Sequence, residues 1–159
     1  MREIKFRGKR IDNSEWVYGY LTKNRPNPRT SEPPYKLQTA IDHEEKGVML
    51  TSLVDPVTVG QYIGIKDKYR NQVYEGDIIQ TYFSFAPGDA GYGVSQKPFI
   101  VEWEHGRTAY RARKPSSDNR HLLDIVDFFD IQTNLYEIIG NIYDNPDMVI
   151  AYKQERTPV

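Results

Sequence analysis

Hydrophobic and polar residues alternate from the start of the chain. Ile4 and Phe6 fall on one side of an extended backbone, and Lys5, Arg7 and Lys9 on the other, the period of two that a half-buried strand requires. Asp12-Asn13-Ser14 is a turn signal and Trp16-Val17-Tyr18-Gly19-Tyr20-Leu21 resumes an aromatic-rich strand, so residues 4–21 predict a hairpin. Residues 22–36 hold four prolines and no period, the pattern of an exposed loop. Residues 38–53 fit no single period and carry a charged turn over Asp42–Gly47.

Val59–Ile65 predicts a short strand, Lys66–Gln72 a polar turn, and Val73–Asp77 the entry to a further strand in which Ile78 and Ile79 begin a buried run. Residues 84–98 form a second Gly/Pro/Ser-rich loop, Phe99–Trp103 a strand closed at His105-Gly106, and residues 111–121 a basic loop. Leu122–Ile131 fits neither period and is either a helix or an extended segment. Tyr136–Tyr143 reads as a strand. Asn145-Pro146-Asp147 marks a helix start, with Asn as N-cap, Pro in the first helical position and an acid in the first turn. Short, tightly connected strands predict a mainly β fold, with antiparallel strands in a barrel-like or strongly bent sheet and a short C-terminal helix. No repeat or long linker divides the chain. Residues 1–159 are therefore expected to form one domain with exposed loops near 22–36, 84–98 and 111–121.

Composition narrows the classes. The 159 residues are 38% hydrophobic and 27% charged, with net charge −1, a globular rather than a disordered balance. Twelve tyrosines favour pleated, half-buried surfaces. Cysteine is absent, which excludes disulfides, thiolate zinc sites and a cysteine nucleophile and suits a reducing cytoplasm. The N-terminus lacks the apolar core of a secretory signal, and no window is long and apolar enough to span a membrane. The expectation is a cytoplasmic protein without a membrane partner.

Four stretches, REIKFRGKRIDNSEWVYGY (2–20), TVGQYIGIKDKYRNQVYEGDII (58–79), VEW (101–103) and IIGNIYDNP (138–146), resemble the YopX family of phage and prophage proteins, in the family's order. The family's middle turn usually carries Asn-Gly; this chain has Tyr69-Arg70-Asn71-Gln72 there. The resemblance implies a β-rich fold and a phage or prophage origin. It implies no activity. Its motif positions are Gly64, Asp67, Tyr74, Glu75, Gly76, Asp77, Gly140, Asn141, Asn145 and Pro146. At the bend, Gly76 can take positive φ and Asp77 can hydrogen-bond the backbone, a turn role that explains Glu75-Gly76-Asp77 without an acid–base function.

Other constellations are weak. His43, His105 and His121 are far apart and match no ligand spacing, so no metal or cofactor is expected. Asp124, Asp127 and Asp130 would share one helix face, which a solvated surface explains. No nucleophile or phosphate-loop motif occurs, and no catalytic residue is assigned. Two basic groups, Lys5, Arg7 and Lys9 near the N-terminus and Arg111, Arg113, Lys114 and Arg120 further on, are candidate phosphate or nucleic-acid contacts. Alternatively, the first group is the outer face of an edge strand, charged to block pairing. The functional expectation is a non-catalytic accessory protein that binds a host or phage macromolecule, as a homo-oligomer or with a protein partner. A nucleic-acid-binding β-barrel is the alternative, and a small enzyme acting on a nucleotide or sugar comes third.

Overall fold

The computed structural model describes residues 3–24, 38–84, 92–94, 98–104, 109–113, 123–124 and 136–149. They form mainly β structure in two compact units, divided between Tyr62 and Ile63.

The first unit contains β1 (Phe6–Lys9), β2 (Trp16–Asn24), β3 (Gln38–Glu45), β4 (Val48–Leu53) and the start of β5 (Gly60–Lys66). They lie in the order β4-β3-β2-β1-β5, every pairing antiparallel. Alternation sends Val17 and Ile41 inward with Val54, and Phe6 and Val59 pack against them. A Cβ at Gly19 would overlap the Asp42 carbonyl oxygen, so only glycine lets β2 and β3 approach this closely. The sheet bends until the end of β4 reaches the segment after β1: Arg10 bridges Val54, Ile11 N donates to Leu53 O at 3.1 Å, and Asp55 N to Lys9 O at 2.8 Å. No strand pair among the described residues closes it, so it is a strongly bent sheet rather than a barrel.

The second unit takes the rest of β5, then β6 (Gln72–Tyr74), β7 (Asp77–Ser84), β8 (Tyr92–Val94), β9 (Phe99–Glu104), β10 (Ala109–Arg113), β11 (Leu123–Asp124) and β12 (Tyr136–Asn141). The order is β11-β10-β9-β7-β12, with β8 on β7 and β6 beside β5. Ile63, Val73, Ile79, Phe99, Val101 and Tyr136 form its core, each fully buried aliphatic or aromatic side chain contributing about 1.5–3 kcal/mol. The β7–β12 register shifts between Ile138 and Gly140, a bulge that bends the pair. A short helix, α1, is described over 146–149.

Strands reach further than local pattern predicts. β2 continues to Asn24 because Tyr20–Asn24 pairs with β3. β8 forms inside the expected 84–98 loop on the flank of β7. Arg111 and Arg113 lie in β10, between β9 and β11, rather than in a loop. The charged turn shrinks to Lys46-Gly47, both with positive φ, and the flanking residues become strand. In each case a partner distant in sequence decides the structure, as sheet context does generally. Strand β1, for which an edge position is the alternative reading of its cations, is paired on both sides, to β2 and β5. His105, Lys114, Arg120, His121, Asp127 and Asp130 lie outside the described residues.

Candidate functional site

The motif positions gather at three turns, and each uses its polar side chains on backbone. In the β5–β6 turn, Asp67 is only 2% exposed. Its Oδ1 accepts from Tyr69 N at 2.9 Å and Asn71 N at 2.8 Å; its Oδ2 accepts from Asn71 Nδ2 at 3.1 Å and Ile138 N at 3.3 Å. The carboxylate thus shapes its own loop and ties it to β12. Lys68 reinforces the tie, its N donating to Tyr136 O at 2.9 Å and its Nζ pairing with Glu137 at 2.7 Å. Gly64, with φ +96°, bends β5 just before this turn.

At the second turn Gly76 takes φ +82°. Its N donates to Val101 O at 2.8 Å and its carbonyl accepts from Ile142 N at 2.9 Å. Asp77, 1% exposed, accepts from Tyr74 N at 2.8 Å, and the buried Tyr74 hydroxyl donates to Gln72 at 2.8 Å. Glu75 between them is half-buried. At the third turn Asn141 Oδ1 accepts from Tyr143 N and Asp144 N at 3.0 and 2.9 Å, an Asx-type closure. Asn145 Oδ1 reaches back to Asn141 N at 3.1 Å, closing the turn before α1, where Pro146 takes the first helical position. A Cβ at Gly140 would overlap that Asn145 oxygen.

The β1 cations do share one face, but not as a free basic surface. Arg7 is 5% exposed and its guanidinium lies 4.7 Å from the Trp16 ring centroid, with Lys9 Nζ at 5.6 Å from the same ring. These are cation–π contacts. Lys5, just before the strand, is half-buried. In the backbone register Arg111 stands between Glu102 and Asp124. The two basic groups belong to different units. His43 Nδ1 lies 3.4 Å from Ile41 O, and no group of three His, Asp or Glu able to hold a metal occurs among the described residues.

A feature the sequence pattern did not reveal is the β3–β4 hairpin. Residues 44–51 are all exposed, on both faces of the strand pair, so this hairpin projects as an arm. Val48, Met49 (61% exposed) and Leu50 are among its bare side chains. The two-residue turn makes Glu45↔Val48 a hydrogen-bonded pair, so by alternation Met49 and Thr51 aim their backbone N–H and C=O away from β3. In the described strand order β4 is the sheet edge. Its sequence, VMLTSL, carries no charge, although edge strands are ordinarily protected by Lys, Pro or other charges. The signal available in the sequence was Lys46-Gly47, a two-residue turn between strand-forming runs.

Bent antiparallel sheets held together by buried polar turns define a mainly β protein whose recognisable motifs are architectural. Residues 5–149 match the family model described as YopX protein, and the chain belongs to that family. Among solved structures it is similar to protein EF1440 from Enterococcus faecalis, with TM-score 0.47 and 16% identity over 94% of this chain and 99% of that one. No curated protein matches it. No helix among the described residues is long and apolar enough to cross a membrane.

Proposed function

We propose that this YopX-family chain is a non-catalytic accessory protein of phage or prophage origin. It acts in the cytoplasm of the bacterial host by binding a host or phage macromolecule, and it does so as a homo-oligomer through the β3–β4 arm. The observation that carries this reading is the arm itself, bare on both faces and ended by an uncharged edge strand that exposes Val48, Met49 and Leu50. An isolated two-stranded hairpin is at best marginally stable in water, and a partner strand on β4 would cover Val48, Met49 and Leu50. A second copy suits it because antiparallel β4–β4 pairing is self-complementary and sets no like charges opposite one another within the pair.

The β1 cations support a nucleic-acid surface less well, since Arg7 is buried against Trp16. An enzymatic reading gains little from Asp77, whose buried carboxylate is turned toward the backbone of its own bend. The motif origin supports the phage assignment, and the cysteine-free chain supports a reducing compartment.

The test is sedimentation velocity over a concentration series, on the wild type and on Met49→Lys. Self-association in the wild type, abolished by Met49→Lys with the unfolding midpoint unchanged, is the expected result. A wild type that stays monomeric at the highest concentration overturns the oligomer.

A further inference from the structure

The β5–β6 turn carries a second feature, independent of the arm. Arg70 N donates to Asp67 O at 2.9 Å and Asp67 N to Asn71 O at 2.9 Å, which makes Lys68-Tyr69-Arg70 a three-residue hairpin loop. In such loops the third residue takes the left-handed conformation and is ordinarily glycine. Here it is arginine, with φ 72°, a conformation that crowds the Cβ of any residue but glycine against the following carbonyl oxygen. Strain of this kind persists where the surroundings over-determine the backbone, and it clusters at functional sites. The surroundings do so here, through the four hydrogen bonds to the Asp67 carboxylate.

What the strained loop presents is chemically coherent. Tyr69 is 62% exposed, with Lys68 Nζ 4.9 Å from its ring centroid. Lys66 and Arg70 are exposed on either side of it. An exposed aromatic ring with a cation on each side of it in the chain is the combination from which single-strand-binding proteins build sites, with bases stacking on the ring and phosphates meeting the cations. We infer that the Lys66–Asn71 loop is a contact site for single-stranded nucleic acid, with Tyr69 as the stacking platform and Lys66 and Arg70 as phosphate ligands. Asp67 is its positioning residue, because it fixes the backbone that aims all three.

The test is fluorescence anisotropy of a labelled oligothymidylate about 12 nucleotides long, within the range of single-strand site sizes, titrated with the full chain at several salt concentrations. Binding that weakens steeply with salt is expected. Tyr69→Ala weakens it about tenfold or more, as loss of a stacked base does, whereas Tyr69→Phe restores it. Arg70→Gly separates function from architecture: it relieves the left-handed strain and raises the unfolding midpoint, yet weakens binding and lowers the log–log salt slope by about one. Any of three results overturns the inference: no binding at low salt, Arg70→Gly binding as tightly as wild type, or a polyglutamate peptide competing as well as the oligonucleotide. The last would assign the loop to an acidic protein instead.

Discussion

Replacing Asp67 by Asn tests how much of the second unit hangs on one buried carboxylate. The side chains are nearly isosteric, so packing is preserved and only hydrogen bonding changes. Oδ1 can still accept from Tyr69 N and Asn71 N. The new amide group replaces Oδ2 and turns N–H toward two donors, Ile138 N at 3.3 Å and Asn71 Nδ2 at 3.1 Å. Rotating the amide only moves the conflict to the two loop N–H groups. Bonds to a charged acceptor are worth about 1.5–3 kcal/mol each. Asn71 is exposed and its freed donor recovers water, so the loss concentrates on Ile138 N and on the weakened bonds to a now neutral oxygen. We expect Asp67→Asn to cost about 2–4 kcal/mol, a drop of roughly 5–15 °C in Tm at 2–4 °C per kcal/mol. Urea unfolding measures it, and amide exchange locates it, with Tyr69, Asn71 and Ile138 losing protection first. A variant within about 0.5 kcal/mol of wild type, the range of an ordinary surface substitution, would refute the assignment of Asp67 as the organiser of this turn.

Gly19→Ala places a methyl group against the Asp42 carbonyl oxygen, a backbone atom unable to step aside, so β2 and β3 must separate; about 3 kcal/mol or more is lost, seen as early loss of Trp16 fluorescence change on unfolding, and wild-type stability would contradict it. Burial pushes the Tyr136 hydroxyl well above the ordinary tyrosine range. Because the folded-state value is raised, its contribution to stability is complete below about pH 10, where the unfolded tyrosine titrates, and declines above it by up to about 1.4 kcal/mol per pH unit. Tyr136→Phe should flatten that alkaline decline in urea midpoints, and an unchanged slope would count against it.

Much of the fold was legible because it rests on local chemistry. Gly76 and Asp77 announce a turn by residue type alone, while alternation at the N-terminus is a partial guide: Phe6 packs on the core, but Ile4 of the same side is 61% exposed and Arg7 of the other is buried. What stayed hidden depends on partners remote in the chain. Nothing near Arg111 says that Glu104, Val101 and Leu123 lie in the strands on either side of its own. Nothing near Arg7 says that β5 will pair with β1 and bury the guanidinium over Trp16. The candidate surfaces were least legible of all. The arm is recognised only once residues 44–51 prove exposed on both faces. The Tyr69 loop reads as a generic polar turn until the φ of Arg70 shows that an arginine holds a glycine's place.

Pairing of β4 with a strand of another copy is read out by amide hydrogen exchange at residue resolution over a range of protein concentrations. Leu50 N, directed toward β3, serves as the internal reference and exchanges slowly at every concentration. With β4 paired to a second copy, Met49 and Thr51 N–H exchange quickly in dilute solution and become protected together as concentration rises. Fast exchange at Met49 and Thr51 that ignores concentration, beside a protected Leu50, would contradict it.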